Sequence, residues 1–168
     1  MPTDPSRSFG LIGNVFLNKI YRNSLKELSI NSGFTLFKEL KILSKSPNLY
    51  KVELYSFVKN ENDEPIPIVE IMVLFPNIKN FNICPPHFTM ESFEKLLKFK
   101  FSNKFQKLRF GSIKNEFDPI TFCTFLKENF DDDAEFSLIF HWNFRHLENQ
   151  LLPRVKEIIN GWETKKPK

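Results

Sequence analysis

The sequence predicts an α/β fold in which short strand–helix units stack on one another. The pattern apolar-x-x-apolar-x-apolar recurs five times, with first positions 24, 29, 27 and 30 residues apart. The copies begin at Leu25, Leu49, Ile78, Phe105 and Glu135, and the last is imperfect at its first position. Repeats of this length are typical of leucine-rich-repeat-like stacks, because each unit buries its apolar face only against a neighbour.

Length and composition favour one domain. The chain has 168 residues, 41% of them hydrophobic, which is enough for a single sizeable core. Residues 1–10 are polar and contain proline, so we expect a loose N-terminal arm. The interaction domain is predicted over 11–162, with residues 163–168 as a basic tail.

The first half of the chain is predicted to contain a capping helix and two strands. Apolar residues recur every three or four positions over 11–21, which predicts an amphipathic helix covering the first end of the stack. A strand over 25–31 and a helix over 34–44 follow, and Pro47 ends the first unit. The second strand is predicted over 49–57.

The regular alternation is predicted to stop after the second strand. Residues 59–65 form a polar segment ending in proline, and over 66–75 two sets of side chains alternate, Ile68, Glu70 and Met72 against Val69, Ile71 and Val73. Alternation of this kind indicates a strand, so we expect an inserted β-hairpin here.

The second half of the chain is predicted to return to strand–helix units. Strands are expected over 78–84 and 105–113, and Asp118 and Pro119 carry the residue types preferred at a helix start. Asp131–Asp133 is predicted as a turn before a last strand over 135–142. A terminal helix over 144–162 contains Pro153, as a kink or as the start of its second half.

Composition also limits the compartment and the class of partner. No apolar run approaches the roughly 20 residues that span a bilayer, and the N-terminus lacks the layout of a secretory signal. We therefore expect a cytoplasmic or nuclear protein without membrane contact. Cys84 and Cys123 are the only cysteines, and reduced buried thiols are the expected state.

The cysteines, histidines and acidic residues form no recognisable catalytic or metal site in the sequence. Cys84-x-x-His87 is the best zinc candidate, but its two prolines impose an extended turn and no second close pair exists. An active site would require His87, His141 and a carboxylate to converge. Since phosphate-loop, nucleophile-elbow and zinc-protease motifs are all missing, we predict no enzyme, no metal and no cofactor.

A basic stretch over 95–114 keeps nucleic acid open as an alternative partner. It contains six lysines and Arg109 without an acidic residue, interleaved with phenylalanines that could stack on bases. The net charge of +4 is only a mild excess. The candidate contacts in this alternative are Lys98, Lys100, Lys104, Lys107 and Arg109.

The two tryptophans lie in the C-terminal part of the sequence, and their positions have two interpretations. Trp142 ends the last predicted strand and Trp162 the last predicted helix. Stacking that seals the terminal edge is favoured over a role as exposed binding anchors.

Several short segments resemble a known family. The segments 24–31, 46–54, 88–97 and 117–126 resemble the C-terminal recognition regions of nematode F-box proteins, the FTH-type F-box-associated domains. The resemblance implies a leucine-rich-like α/β receptor that recruits a substrate to a ubiquitin ligase or docks on an RNA-binding protein. Residues 11–25 are too short for the three-helix F-box, so the chain is either a fragment or a free-standing interaction domain.

The sequence predicts a protein–protein interaction domain with a strand-lined binding face. Stacked strands place every second side chain on one common surface, which suits another protein or an extended peptide. Residues between the apolar pattern positions should face solvent. The predicted partner-binding residues are Lys51, Glu53, Tyr55, Lys107 and Arg109.

Overall fold

Five parallel strands form one sheet within residues 25–163, the part of the chain that the computed structural model describes. The strands lie side by side in chain order, and each connection carries a helix. The strands are β1 (Glu27–Leu36), β2 (Lys51–Lys59), β3 (Asn80–Ile83), β4 (Phe105–Ile113) and β5 (Phe130–Phe140). The helices are α1 (Phe37–Leu43), α2 (Ile68–Met72), α3 (Ser92–Leu97), α4 (Pro119–Asn129) and α5 (Arg145–Glu163).

The helices cover one face of the sheet. The inward side chains of the strands and the apolar side chains of all five helices form one buried cluster. The inward side chains stand in two rows that cross the strands, since Leu28 is in register with Val52, Phe81, Leu108 and Phe136. Ile30, Leu54, Ile83, Phe110 and Leu138 form the second row. Apart from Phe136 in β5, these are the apolar pattern positions, and the predicted α/β alternation is confirmed.

The prediction of an inserted β-hairpin is wrong. Residues 66–75 contain the short helix α2 instead of a strand, and only a single antiparallel bridge, between Lys59 and Pro65, remains of the hairpin. Ile68, Ile71 and Met72 are buried on one side of α2, at the i, i+3 and i+4 spacing of a helix. The segment is apolar on both alternating faces, so its pattern fitted a strand and a helix equally well.

The predicted turn at Asp131–Asp133 is also wrong, because β5 begins directly after α4 and includes these residues. Phe130 pairs with Phe105, and Phe136 pairs with Leu108. Six positions therefore separate the two paired residues in β5, against three in β4. A bulge takes up the extra residues. The fifth repeat was consequently placed two residues too late along the strand.

The C-terminal end of the described chain is a single long helix. α5 continues through Pro153, and Leu147, Leu151, Val155 and Ile158 bury one side of it. Trp142 lies in a 3-10 turn between β5 and α5 and is 73% exposed, so the prediction that it seals the terminal edge is wrong. The N-terminal arm, the capping helix over 11–21, the side chain of Trp162 and residues 164–168 lie outside the described part.

Candidate functional site

One side of the sheet is left uncovered by residues 25–163 and is called the open face below. It is built from the outward positions of each repeat. In the first four repeats these are the third and fifth positions, counted from the first apolar residue, and in β5 the register places Glu135 and Ser137 beside them. The third positions form a charged row: Glu27, Lys51, Asn80, Lys107 and Glu135. The fifth positions form a central row: Ser29, Glu53, Asn82, Arg109 and Ser137. The open face therefore holds all five residues predicted to bind a partner, since Tyr55 follows Glu53 outward on β2.

Ion pairs neutralise most of the charged row. On β2, the Lys51 ammonium lies 3.1 Å from a carboxylate oxygen of Glu27 and 3.8 Å from one of Glu53. The Tyr50 hydroxyl also donates to Glu27, at 2.7 Å. The hydrogen bonds from Tyr50 and Lys51 lower the pKa of Glu27, and the bond to Glu27 raises the pKa of Lys51. The Glu27 carboxylate and the Lys51 ammonium are therefore both charged at neutral pH.

A second ion pair lies at the other end of the charged row, between β4 and β5. Lys107 on β4 lies 2.8 Å from Glu135 on β5, and its hydrogen bond lowers the pKa of that carboxyl. Both side chains are more than half exposed. Solvent screens such a pair, so it contributes little to stability but leaves no net charge at this end of the row.

The central row has a different character. Asn82, at its middle, donates from its amide nitrogen to the Tyr55 hydroxyl at 2.5 Å. The amide oxygen of Asn82 is buried and has no hydrogen-bond partner among the described residues. Arg109 lies directly across from Asn82 in the register, is exposed, and forms no ion pair within residues 25–163. This row therefore contains unused hydrogen-bonding capacity.

An apolar patch adjoins the central row on the side where the strands end. Tyr55, Phe57 and Ile139 are exposed by 37%, 55% and 44%. Between them, Cys84, the residue after β3, is half-buried and lies over Gly111 on β4, where a Cβ atom would come within 2.9 Å of its sulfur. Because glycine has no Cβ atom, the Cys84 side chain can approach β4 this closely. We call Tyr55, Phe57, Cys84 and Ile139 the apolar patch.

The basic stretch over 95–114 is divided among different parts of the molecule. Lys98 lies at the end of α3 on the helical side and is paired with Glu94 at 2.7 Å. Lys100 is exposed in the following loop, and Lys104 donates to the backbone carbonyl of Glu128. Lys107 and Arg109 are on the open face. The predicted nucleic-acid contacts therefore do not form one continuous surface.

The phenylalanines of the basic stretch pack against one another and in the core. Phe105 and Phe110 are completely buried, and the ring of Phe101 packs edge-on against Phe105 at 5.0 Å. Phe99 in turn packs against Phe101 at 4.8 Å. A base-stacking surface needs exposed ring faces, which the buried members of this set do not offer.

Histidines and cysteines are separated in the described part of the chain. His87 lines a crevice at the ends of β2 and β3, and neither His141 nor a carboxylate residue lines it with His87. His146 instead pairs with Glu116 at 3.3 Å. Cys123 is buried, which raises the pKa of its thiol, and both cysteines are free. Residues 25–163 contain no group of three potential metal ligands.

Sequence reasoning missed Asn82, Phe57 and Ile139 on the open face. Asn82 occupies the same position of its repeat as Glu53 and Arg109, so extending the period-two rule to the third repeat would have found it. Ile139 lies between the pattern positions Leu138 and Phe140, so the same rule would have placed it outward even though the fifth repeat was shifted by two residues. Phe57 lies outward, two residues beyond Tyr55, and was read only as the end of the strand.

Comparison of the chain with protein-family models, curated proteins and solved structures finds no match. Among the described helices, none has the length and apolar character needed to cross a membrane.

Proposed function

We propose that this protein is a non-enzymatic interaction domain that binds another protein on its open face. The observation that carries the proposal is an entire sheet face left uncovered by residues 25–163, with Tyr55, Phe57 and Ile139 exposed on it. Large exposed apolar side chains beside an arginine are typical of protein-binding surfaces, where aromatic residues and arginine supply most of the energy.

The dimensions of the open face favour an extended segment of the partner. Five strands spaced by about 4.8 Å make the face about 20 Å wide, which corresponds to about six residues of extended chain. The partner is therefore a protein that crosses the strands with one segment. Substrate recognition or an adaptor role in the cytoplasm or nucleus fits this arrangement, as does the resemblance to F-box-associated domains, which implies recruitment to a ubiquitin ligase or docking on an RNA-binding protein.

Site-specific photo-crosslinking tests the proposal. A benzoylphenylalanine in place of Ser137 would stand on the open face, and the same group in place of Lys156 would stand exposed on α5, on the helical side. After irradiation in cells and nuclease treatment, we expect a protein adduct from position 137 that position 156 does not give. Mass spectrometry identifies the partner and the crosslinked segment.

Three results would contradict the proposal. Equal adducts from positions 137 and 156 would indicate nonspecific contact. An adduct that nuclease removes would favour the nucleic-acid alternative. A crosslink from position 137 only to this chain's own residues would mean that the open face is covered from within.

A further inference from the structure

The open face contains one cation that the described chain does not neutralise. Lys51 and Lys107 each lie within ion-pair distance of a glutamate, whereas Arg109 is flanked across the sheet by Asn82 and Ser137, which are uncharged. Glu53 is the acidic residue of the central row, but it lies two strands away, a separation of about 10 Å. Arg109 therefore has five N–H donors and no carboxylate to receive them within residues 25–163.

Asn82, beside Arg109, has an amide oxygen that receives no hydrogen bond from residues 25–163. The Asn82 amide nitrogen donates to the Tyr55 hydroxyl, and the amide oxygen is buried. A buried acceptor without a donor is unfavourable, and reversing the amide would leave its nitrogen unpaired instead. Because Arg109 and Asn82 are register partners on adjacent strands, their Cβ atoms lie about 5 Å apart. The guanidinium group can thus reach the amide oxygen with one edge.

We propose that Arg109 binds a carboxylate of the partner protein while its guanidinium group is braced against Asn82. This inference rests on the proposed function and specifies the partner's chemistry. An arginine guanidinium matches a carboxylate with two parallel hydrogen bonds, and a second polar contact fixes its orientation. The partner segment therefore carries an aspartate or glutamate above Arg109.

The apolar patch defines what stands next to that acidic residue. Tyr55 and Ile139 are two residues further along their strands than Glu53 and Ser137, a distance of about 7 Å. A side chain of the partner that lies one or two positions from its acidic residue can span the distance from the central row to the apolar patch. The partner segment consequently combines an acidic residue with a large apolar residue one or two positions away, and the patch desolvates the ion pair when both are seated.

Selection from a phage-displayed library of random 12-residue peptides tests this chemistry directly. The probe is the library itself, presented to the full chain and, in parallel, to the Arg109→Ala variant. We expect wild-type protein to enrich peptides with an acidic residue one or two positions from leucine, isoleucine, phenylalanine, tyrosine or tryptophan. The variant should not enrich them.

Affinities of one enriched peptide then separate the ion pair from general electrostatics. Arg109→Ala should weaken binding at least about tenfold, and Arg109→Lys, which keeps the charge but loses the planar fork, about fivefold. The matched control is Lys127→Ala, which removes one exposed positive charge from α4 on the helical side and should change affinity less than about twofold. Far-UV circular dichroism and urea midpoints establish that each variant is folded.

The outcomes distinguish this inference from the proposed function. Enriched peptides that lack acidic residues, or that bind Arg109→Ala as tightly as wild type, would overturn the inference while leaving the open face as a protein-binding surface. Equal weakening by Lys127→Ala would also overturn it, because simple charge attraction would then suffice. Recovery of no peptide above background would count against both proposals.

Discussion

Phe93 lies at the centre of the aromatic core and connects three elements of the fold. Its ring, on α3, contacts Phe88 before the helix, Phe110 on β4 and Phe122 on α4, at 4.8–6.4 Å between centroids. Phe93 is completely buried. Aromatic pairs in tilted and edge-on arrangements add stabilisation beyond the area they bury, so this residue couples α3 and α4 to the sheet.

Phe93→Ala should therefore destabilise the protein by about 3–5 kcal/mol, because it leaves a cavity that the surrounding rings cannot fill. Urea unfolding followed by circular dichroism measures the change. The matched control is Phe57→Ala on the open face, where the side chain is 55% exposed and the expected loss is below about 1 kcal/mol. Equal losses at the two positions would contradict the packing described for α3.

The outward positions of the candidate site were predictable from the alternation of side chains along each strand. Lys51, Glu53, Lys107 and Arg109 were placed on the open face from the sequence, because neighbouring side chains on a strand point to opposite sides. Their ion pairs were not predictable, because a pair such as Lys107 with Glu135 depends on the register between strands. That Arg109 has no carboxylate partner in the described part of the chain also depends on this register.

Among the elements, α4 shows most directly how a local sequence signal fixes a boundary. Asp118 precedes the helix, and its carboxylate accepts hydrogen bonds from the backbone N–H groups of Ile120 and Thr121 at 3.3 and 2.9 Å. Partial burial by itself raises the pKa of Asp118, but the bonds from Thr121 and Ile120 outweigh it, so the pKa lies below its usual value. The predicted helix start is confirmed.

Asp118→Ala should lower the free energy of unfolding by about 1 kcal/mol at pH 7, the usual loss when a helix cap is removed. The folded-state pKa is depressed, so this stabilisation is fully present above the unfolded-state pKa of about 3.9 and is lost as pH falls through the folded value. Urea titrations at pH 7 and at about pH 3 measure the difference. A gap that stays constant over this range would show that the carboxylate is not the cap.

Elements without such a local signal were predicted less well. The boundaries of β4 were correct, because turn residues bracket a strand with a clear apolar pattern. Residues 66–75 carry no comparable signal, since burial of α2 against the sheet decides their conformation and tertiary packing is not visible in the sequence. In β5, the bulge that accommodates Asp131–Asp133 shifted the repeat for the same reason.

At the scale of the whole molecule, the described strands differ in how many neighbours they have. β2, β3 and β4 each pair on both sides, whereas β5 pairs with β4 alone within residues 25–163. All strands share one apolar cluster. The central strands should therefore open only when the whole domain unfolds, while the beginning of β5 opens locally.

Hydrogen exchange measured by mass spectrometry should reveal this gradient. We expect amides in residues 51–59, 80–83 and 105–113 to exchange at least about 100-fold more slowly than those in residues 131–134, where the bulge interrupts pairing. Fragments that cover each range report the rates separately. Similar rates in all four ranges would show instead that the sheet opens as one unit from edge to edge.

The acidic start of β5 has a consequence for behaviour at high concentration. An outer strand with free N–H and C=O groups is a template on which another molecule can add a strand. Here Asp132 and Asp133 project from β5 into solvent. Two copies that paired with each other through β5 would bring these carboxylates together, and the repulsion would oppose that pairing.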